Sequence, residues 1–212
     1  PPRLRTRLKR LYWSLLPPAV SGMPTLMFHA FDGVGSSSWD HTRLRALYTR
    51  LRAKGVSIVS STEAYQQIAQ SAPTSTSVIW TIDDATADLL QVKPFFQKTQ
   101  LPATIFAPSG VSTLRNSEGI ERRILNSQEL HALCAGTRLE IGGHGITHQP
   151  LPALSVTEVE KELRVSYEYT TQLSQEDAPL FFAYPRGKYR PEQAALPLMA
   201  GFVGAFTVKP GS

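Results

Sequence analysis

Two short stretches hold residues whose types and spacing suit metal-assisted hydrolysis. In GGHGITHQPL, His144 and His148 have three residues between them; in TIDDA, Asp83 and Asp84 stand side by side. Imidazole is the commonest nitrogen ligand for zinc and its neighbours. Two imidazoles and one carboxylate form a ligand set that leaves positions open for water and substrate. Adjacent carboxylates repel each other, and a bound cation offsets that cost. One aspartate then completes the ligand set. The other faces the open side as general base, because water near a divalent cation gives up its proton more readily. A His-x-x-x-His pair alone is a weak signal. Gly142, Gly143 and Gly145 strengthen it by arguing for a loop entering a turn, which aims both rings at one point. The plain alternative for Asp83 and Asp84 is a solvated strand end that caps the following helix.

These residues need a scaffold that brings them together. Apolar runs of strand length alternate with segments of helical periodicity. Expected strands are 25–28, 56–60, 77–84, 102–108, 139–145, 179–185 and 202–208. Expected helices are 38–55, 61–71, 87–100 (with Pro94 inside), 126–136, 155–174 and 190–201. Ser38 or Asp40 starts the first helix, and Ser61 or Thr62 caps the second. Ser155 and Glu158 have capping-box spacing. The alternation implies a parallel α/β sheet or barrel. His29, Asp83, Asp84, His144, His148 and the stretch Tyr184–Gly187 all fall at carboxyl ends of expected strands, where α/β barrels carry their active face. His41 and His131 fall on expected helices as surface or packing residues.

Composition sets the outer bounds. The 212 residues, 42% apolar and 18% charged, suit a globular chain with a core of its own. The single cysteine, Cys134, excludes an intramolecular disulfide and reads as a buried apolar residue. The net charge of +5 is localised: Arg3, Arg5, Arg7, Lys9 and Arg10 carry it, and 17 basic and 17 acidic residues balance beyond them. A basic nucleic-acid surface is therefore not indicated. Leu4, Leu8, Leu11, Tyr12, Leu15 and Leu16 interleave with those cations at helical spacing, and Pro17 and Pro18 end the pattern. Residues 1–18 are accordingly expected as a basic amphipathic helix, preceding a domain over 19–212. The helix either contacts an anionic membrane surface through residues 3–16 or packs on the domain. No signal peptide or transmembrane segment is visible. The expected location is membrane-peripheral, or periplasmic or secreted if a leader has been removed. Oligomeric state is not legible.

The ordered stretches TIDDA, GGHGITHQPL and FAYPRGKY resemble the signature motifs of polysaccharide deacetylases, metal-dependent carbohydrate esterases on a distorted, incomplete (β/α) TIM-like barrel. TLMFHAF resembles the strand ending in histidine that opens the subgroup with an N-terminal extension. LRAKGVSIVS, LPATIFA and AGFVGAFTV resemble further family segments. The resemblance implies Asp83 as catalytic base, and Asp84, His144 and His148 as ligands of one divalent metal, zinc by default with cobalt, nickel or iron as alternatives. It implies His29 as general acid and the Arg186 N–H as oxyanion donor. Tyr184, Pro185, Arg186 and Gly187 become substrate-binding, and the substrate an N-acetylated polysaccharide or oligosaccharide.

Three positions depart from the family pattern. Ala85 stands where glycine is usual, which a helix start accommodates. Ala183 stands where an arginine orients the base, a task left to Arg186. The sequence to Ser212 holds no C-terminal leucine-histidine strand, so the acid role passes to His29. Phe31, Trp39, Tyr184 and Tyr189 are candidates for stacking on sugar rings, or for core packing in the case of Phe31 and Trp39. Two other functions share the constellation: hydrolysis of a different amide or ester acyl substrate, and an inactive metal-containing sugar-binding module.

Overall fold

A computed structural model describes residues 23–70 and 76–208. The expected N-terminal helix over 1–18 lies outside the described residues. Within them the chain runs β1 (Thr25–Phe28), α1 (His41–Ala53), β2 (Ser57–Val59), α2 (Ser61–Ala69), β3 (Ser77–Asp83), α3 (Leu89–Thr99), β4 (Ala103–Ala107), β5 (Thr113–Arg115), β6 (Glu121–Arg123), α4 (Ser127–Cys134), β7 (Leu139–Gly143), α5 (Val156–Leu173), β8 (Phe181–Ala183), α6 (Leu196–Met199) and β9 (Gly204–Phe206). None of these helices is long and apolar enough to cross a membrane.

Seven strands form one parallel sheet in the order β1-β3-β4-β7-β8-β9, with β2 also on β3. Ile79 pairs with Thr25 on one edge and Val59 on the other, so β2 and β4 share the second edge of β3. The sheet curls into an incomplete TIM-like half-barrel, and strand alternation explains its two faces. Trp80, Ile82, Ala103, Ile105, Leu139 and Ile141 point outward into the core shared with Leu44 of α1, Phe96 of α3 and Leu130 and Leu133 of α4. Phe182 packs outward with Val159 and Leu163 of α5. On the concave face Phe106, Phe181, Ala183 and Phe206 cluster, while Ile79 packs with Val59 and Ala64 of α2. Helix α2 lies on that face: its Ser61 N–H donates to Thr104 Oγ1, and the Tyr65 ring meets Phe181 edge-on at 6.0 Å.

The helix ends show their local causes. Asp40 caps α1 by accepting from the Arg43 N–H. Ser155 and Glu158 form the expected capping box on α5. The cap of α2 is Ser60 rather than Ser61 or Thr62, because Ser60 pairs reciprocally with Glu63. The helix expected over 190–201 is instead a 3₁₀ turn, Pro191–Gln193, followed by the short α6. Pro197 has no N–H with which to continue the ladder from Gln193, so the helix restarts there. Pro94 sits inside α3 without ending it.

The antiparallel hairpin β5–β6 was not among the expected elements. Its signal was present in the Asn-Ser-Glu-Gly stretch, where Asn116 accepts the Gly119 N–H and the Asn116 N–H donates to the Ile120 carbonyl. Its strands are short and mostly polar, so apolar alternation never marked them.

Candidate active site

The carboxyl ends of the strands open into a cleft of about 380 Å³, within the range of small-ligand sites, roughly 300–1,000 Å³. His29, Asp83, Asp84, His144, His148, Arg186 and Gly187 line it, with hairpin residues Arg115, Asn116 and Arg122 on one wall. Sequence reasoning missed that wall along with the hairpin.

The backbone explains how two adjacent carboxylates reach one cleft. Neighbours on a strand face opposite ways, but β3 ends at Asp83, and Asp84 and Ala85 take left-handed φ values of 72° and 53°. That break in the alternation puts both acids on the cleft. The expectation that Ala85 starts a helix with ordinary angles is corrected here: it occupies the left-handed region that favours glycine. Its surroundings hold it there. The Ala85 carbonyl accepts the Leu125 N–H at 3.0 Å, and the Ala87 N–H donates to Arg123 at 2.8 Å. Of six non-glycine residues with positive φ among those described, Asp84, His148 and Arg186 line the cleft and Ala85 adjoins it. Such concentration of strained backbone is typical of functional sites.

Asp84, His144 and His148 each present a ligand atom, all within 4.8 Å of one another. Asp84 Oδ1 lies 3.1 Å from His148 Nε2 and 3.4 Å from His144 Nε2. It is buried, yet accepts no well-formed hydrogen bond. An enclosed carboxylate oxygen facing two imidazole nitrogens without hydrogen bonds fits a cation between them. His144, 1% exposed, donates from Nδ1 to the Ala183 carbonyl at 2.8 Å. That bond fixes the tautomer and leaves the Nε2 lone pair toward Asp84.

Electrostatics separates the two acids. Burial raises the Asp83 carboxyl above its ordinary pKa, and the nearby imidazoles of His144 and His29 offset this only in part. Burial also acts on Asp84, but His144 and His148 outweigh it and hold that carboxyl well below the usual range. His144 is disfavoured as imidazolium by burial, yet Asp84 and Asp83 raise its pKa overall. The two adjacent carboxyls are thus pushed in opposite directions.

Other expected residues fall differently. The Tyr184 hydroxyl donates to the Ala194 carbonyl at 2.9 Å, and its ring stacks on Tyr189 at 4.6 Å. Tyr184 and Pro185 are buried and absent from the cleft lining. Phe31 and Trp39 pack with Phe28 in the core. Arg186 lines the cleft without an ion pair to Asp83, and Ala183 is buried in the cluster of Phe106 and Phe181. Cys134 sits in the core margin, where burial pushes its thiol up to about 12.

A parallel α/β half-barrel with titratable residues gathered at its strand ends is the build of a TIM-like enzyme. The polysaccharide deacetylase family model matches residues 70–202, and the chain belongs to that family. It is therefore a deacetylase-type hydrolase of N-acetyl amide bonds. His29 precedes the matched segment. No curated protein matches the sequence. Among solved structures the chain is similar to a Streptococcus pyogenes deacetylase, PplD, in complex with acetate, at 20% identity and TM-score 0.75, covering 89% of this chain and 84% of that one. IcaB from Ammonifex degensii is similar at 19% identity and TM-score 0.71, with the same coverages. A polysaccharide deacetylase from Bacillus cereus is similar at 21% identity and TM-score 0.70; this chain covers 58% of it. At these identities the likeness is one of fold.

Proposed function

We propose that the chain is a metal-dependent de-N-acetylase of an N-acetylated glycan. The observation that carries this reading is the buried Asp84 Oδ1, without hydrogen bonds, facing two imidazole Nε2 atoms beside the buried Asp83. Asp84, His144 and His148 hold one divalent cation, for which zinc is the first choice by ligand type. When bound, the cation supplies Lewis acidity toward the acetamide carbonyl and acidifies the attacking water.

The chain's own residues supply the proton movements. Asp83 takes the proton from the attacking water. The Arg186 N–H donates to the oxygen on which charge develops. His29 delivers a proton to the departing amine nitrogen, so acetate and an amino sugar leave. Arg186 and Gly187 then contact the sugar from one wall and the hairpin from the other. No serine or cysteine nucleophile is required.

The test is acetate release from N-acetylglucosamine oligomers by zinc-loaded protein, with Asp83→Asn alongside. Release by the native chain should fall by at least about 10²-fold in the variant while zinc content stays at one per chain, because general-base loss costs about 10²–10⁴-fold. Equal release by both sinks Asp83 as base. Zinc binding without release from any acylated sugar returns the chain to a binding module.

A further inference from the structure

We propose that Glu162, on α5, is a positioning residue for the metal centre: it fixes the turn between His144 and His148 so that the two imidazoles converge. This rests on the metal-centre reading above.

Glu162 is 4% exposed, an uncommon place for a carboxylate. All of its hydrogen bonds go to the turn. It accepts from the Ile146 N–H, from the Thr147 N–H at 3.2 Å and from the Thr147 hydroxyl at 2.6 Å. The opposite side of the turn is held as well: the Ser109 N–H donates to the Gly145 carbonyl at 2.9 Å, and the Gly110 N–H to the Ile146 carbonyl at 3.0 Å. Ser166, one helical turn beyond Glu162, accepts the Gly145 N–H at 3.2 Å. The turn's backbone groups are thus pinned from both sides, with α5 taking the donors.

Gly145 makes the close approach possible. Its φ is +76°, and a Cβ there would lie 2.7 Å from Glu162 Oε2. The chain must also deliver His148 in a left-handed conformation, φ 58°, within three residues of that glycine. A turn with this much unfavourable backbone persists only when its surroundings over-determine it. Glu162 supplies much of that determination. Outer residues that orient metal ligands typically change metal affinity about 10–100-fold when replaced.

The experiment measures zinc affinity by chelator competition and the visible spectrum of the cobalt-substituted protein, on the full chain. Glu162→Gln keeps the shape but turns an amide toward backbone N–H groups. It should weaken zinc binding about 10–100-fold and alter the cobalt spectrum. Ser155→Ala removes the cap of the same helix. It should lower Tm while leaving zinc affinity within about twofold, since the Ser155 side chain bonds to Glu158 and to no group of the turn. If Glu162→Gln lowers Tm as Ser155→Ala does but leaves affinity and spectrum unchanged, Glu162 only holds the helix and the proposal is overturned. If Glu162→Gln does not fold, Thr147→Val deletes the hydroxyl's bond to Glu162 together with its longer, 3.4 Å bond from the Gln149 N–H; unchanged affinity there overturns the proposal and a loss above threefold supports it. A native chain that takes up neither metal overturns the metal centre itself.

Discussion

Ala85 shows how much one backbone angle decides. At φ 53° an L-residue costs about 1–2 kcal/mol relative to the right-handed region, yet the site needs that angle to aim Asp84. Ala85→Gly relieves the strain but removes a fully buried methyl and adds chain entropy to the unfolded state. These effects nearly cancel, so its stability should stay within about 1 kcal/mol of native. Ala85→Val adds β-branching in the left-handed region and volume in the core, and should cost at least about 2 kcal/mol; urea unfolding checks both. Cys134 gives a second prediction at this scale. Its thiol is pushed up to about 12 by burial, so almost no thiolate exists at pH 8. Alkylation by iodoacetamide should be negligible in the folded protein and rapid in denaturant; rapid native labelling would contradict the burial.

At the scale of elements, the cleft is assembled by a clasp. Arg122 of β6 bonds Asp32 through two nitrogens, both at 2.9 Å, and also donates to the Val34 carbonyl. Ser36 donates its N–H to Glu118 in the hairpin turn. The Phe31 N–H reaches Asp88 before α3. The loop after His29 is thereby fastened both to the hairpin wall and to the start of α3. Arg122 lowers the Asp32 carboxyl to about 2 from its ordinary 3.8. A depressed carboxylate pKa stabilises the fold above the unfolded value and loses that contribution as pH falls. The clasp should therefore be intact above about pH 4 and lost toward pH 2. Asp32→Asn should raise hydrogen exchange in residues 113–123 and 31–38 at pH 7, with little change in α5. Equal exchange in native and variant would show that the clasp does not hold the wall.

At the scale of the whole molecule, the charge is uneven. Five cations lie in the first ten residues, and the rest of the chain is balanced. The described residues begin at Met23, which packs against the concave-face cluster of Val59, Ala64 and Ile79. Removing residues 1–18 should leave zinc binding and acetate release within about twofold. If residues 3–16 contact an anionic surface rather than pack on the domain, the native chain should sediment with phosphatidylserine vesicles at low salt and the deletion should abolish it, because each cation near such a surface contributes about 1 kcal/mol. Vesicle binding that survives the deletion would place the membrane contact elsewhere.

The sequence by itself determined which chemistry was available. His144, His148, Asp83 and Asp84 were legible because metal ligation and acid–base chemistry draw on few side-chain types, imidazole and carboxylate chief among them. The alternation of elements was legible because period 2 and period 3.6 leave different apolar traces, and Ser155 with Glu158 was legible because a cap is local. What only the tertiary structure decided was geometry set by distant partners. The Leu125 N–H holds Ala85 in a conformation its own side chain disfavours. Tyr184 turns into the core because the Ala194 carbonyl waits there. The hairpin wall escaped notice because short polar strands bury little, and its role depends on Arg122 meeting Asp32 ninety residues away. Glu162 read as an ordinary helix residue until the fold brought the His144–His148 turn onto it. Residue type fixes what a side chain can do; long-range contacts fix where it does it.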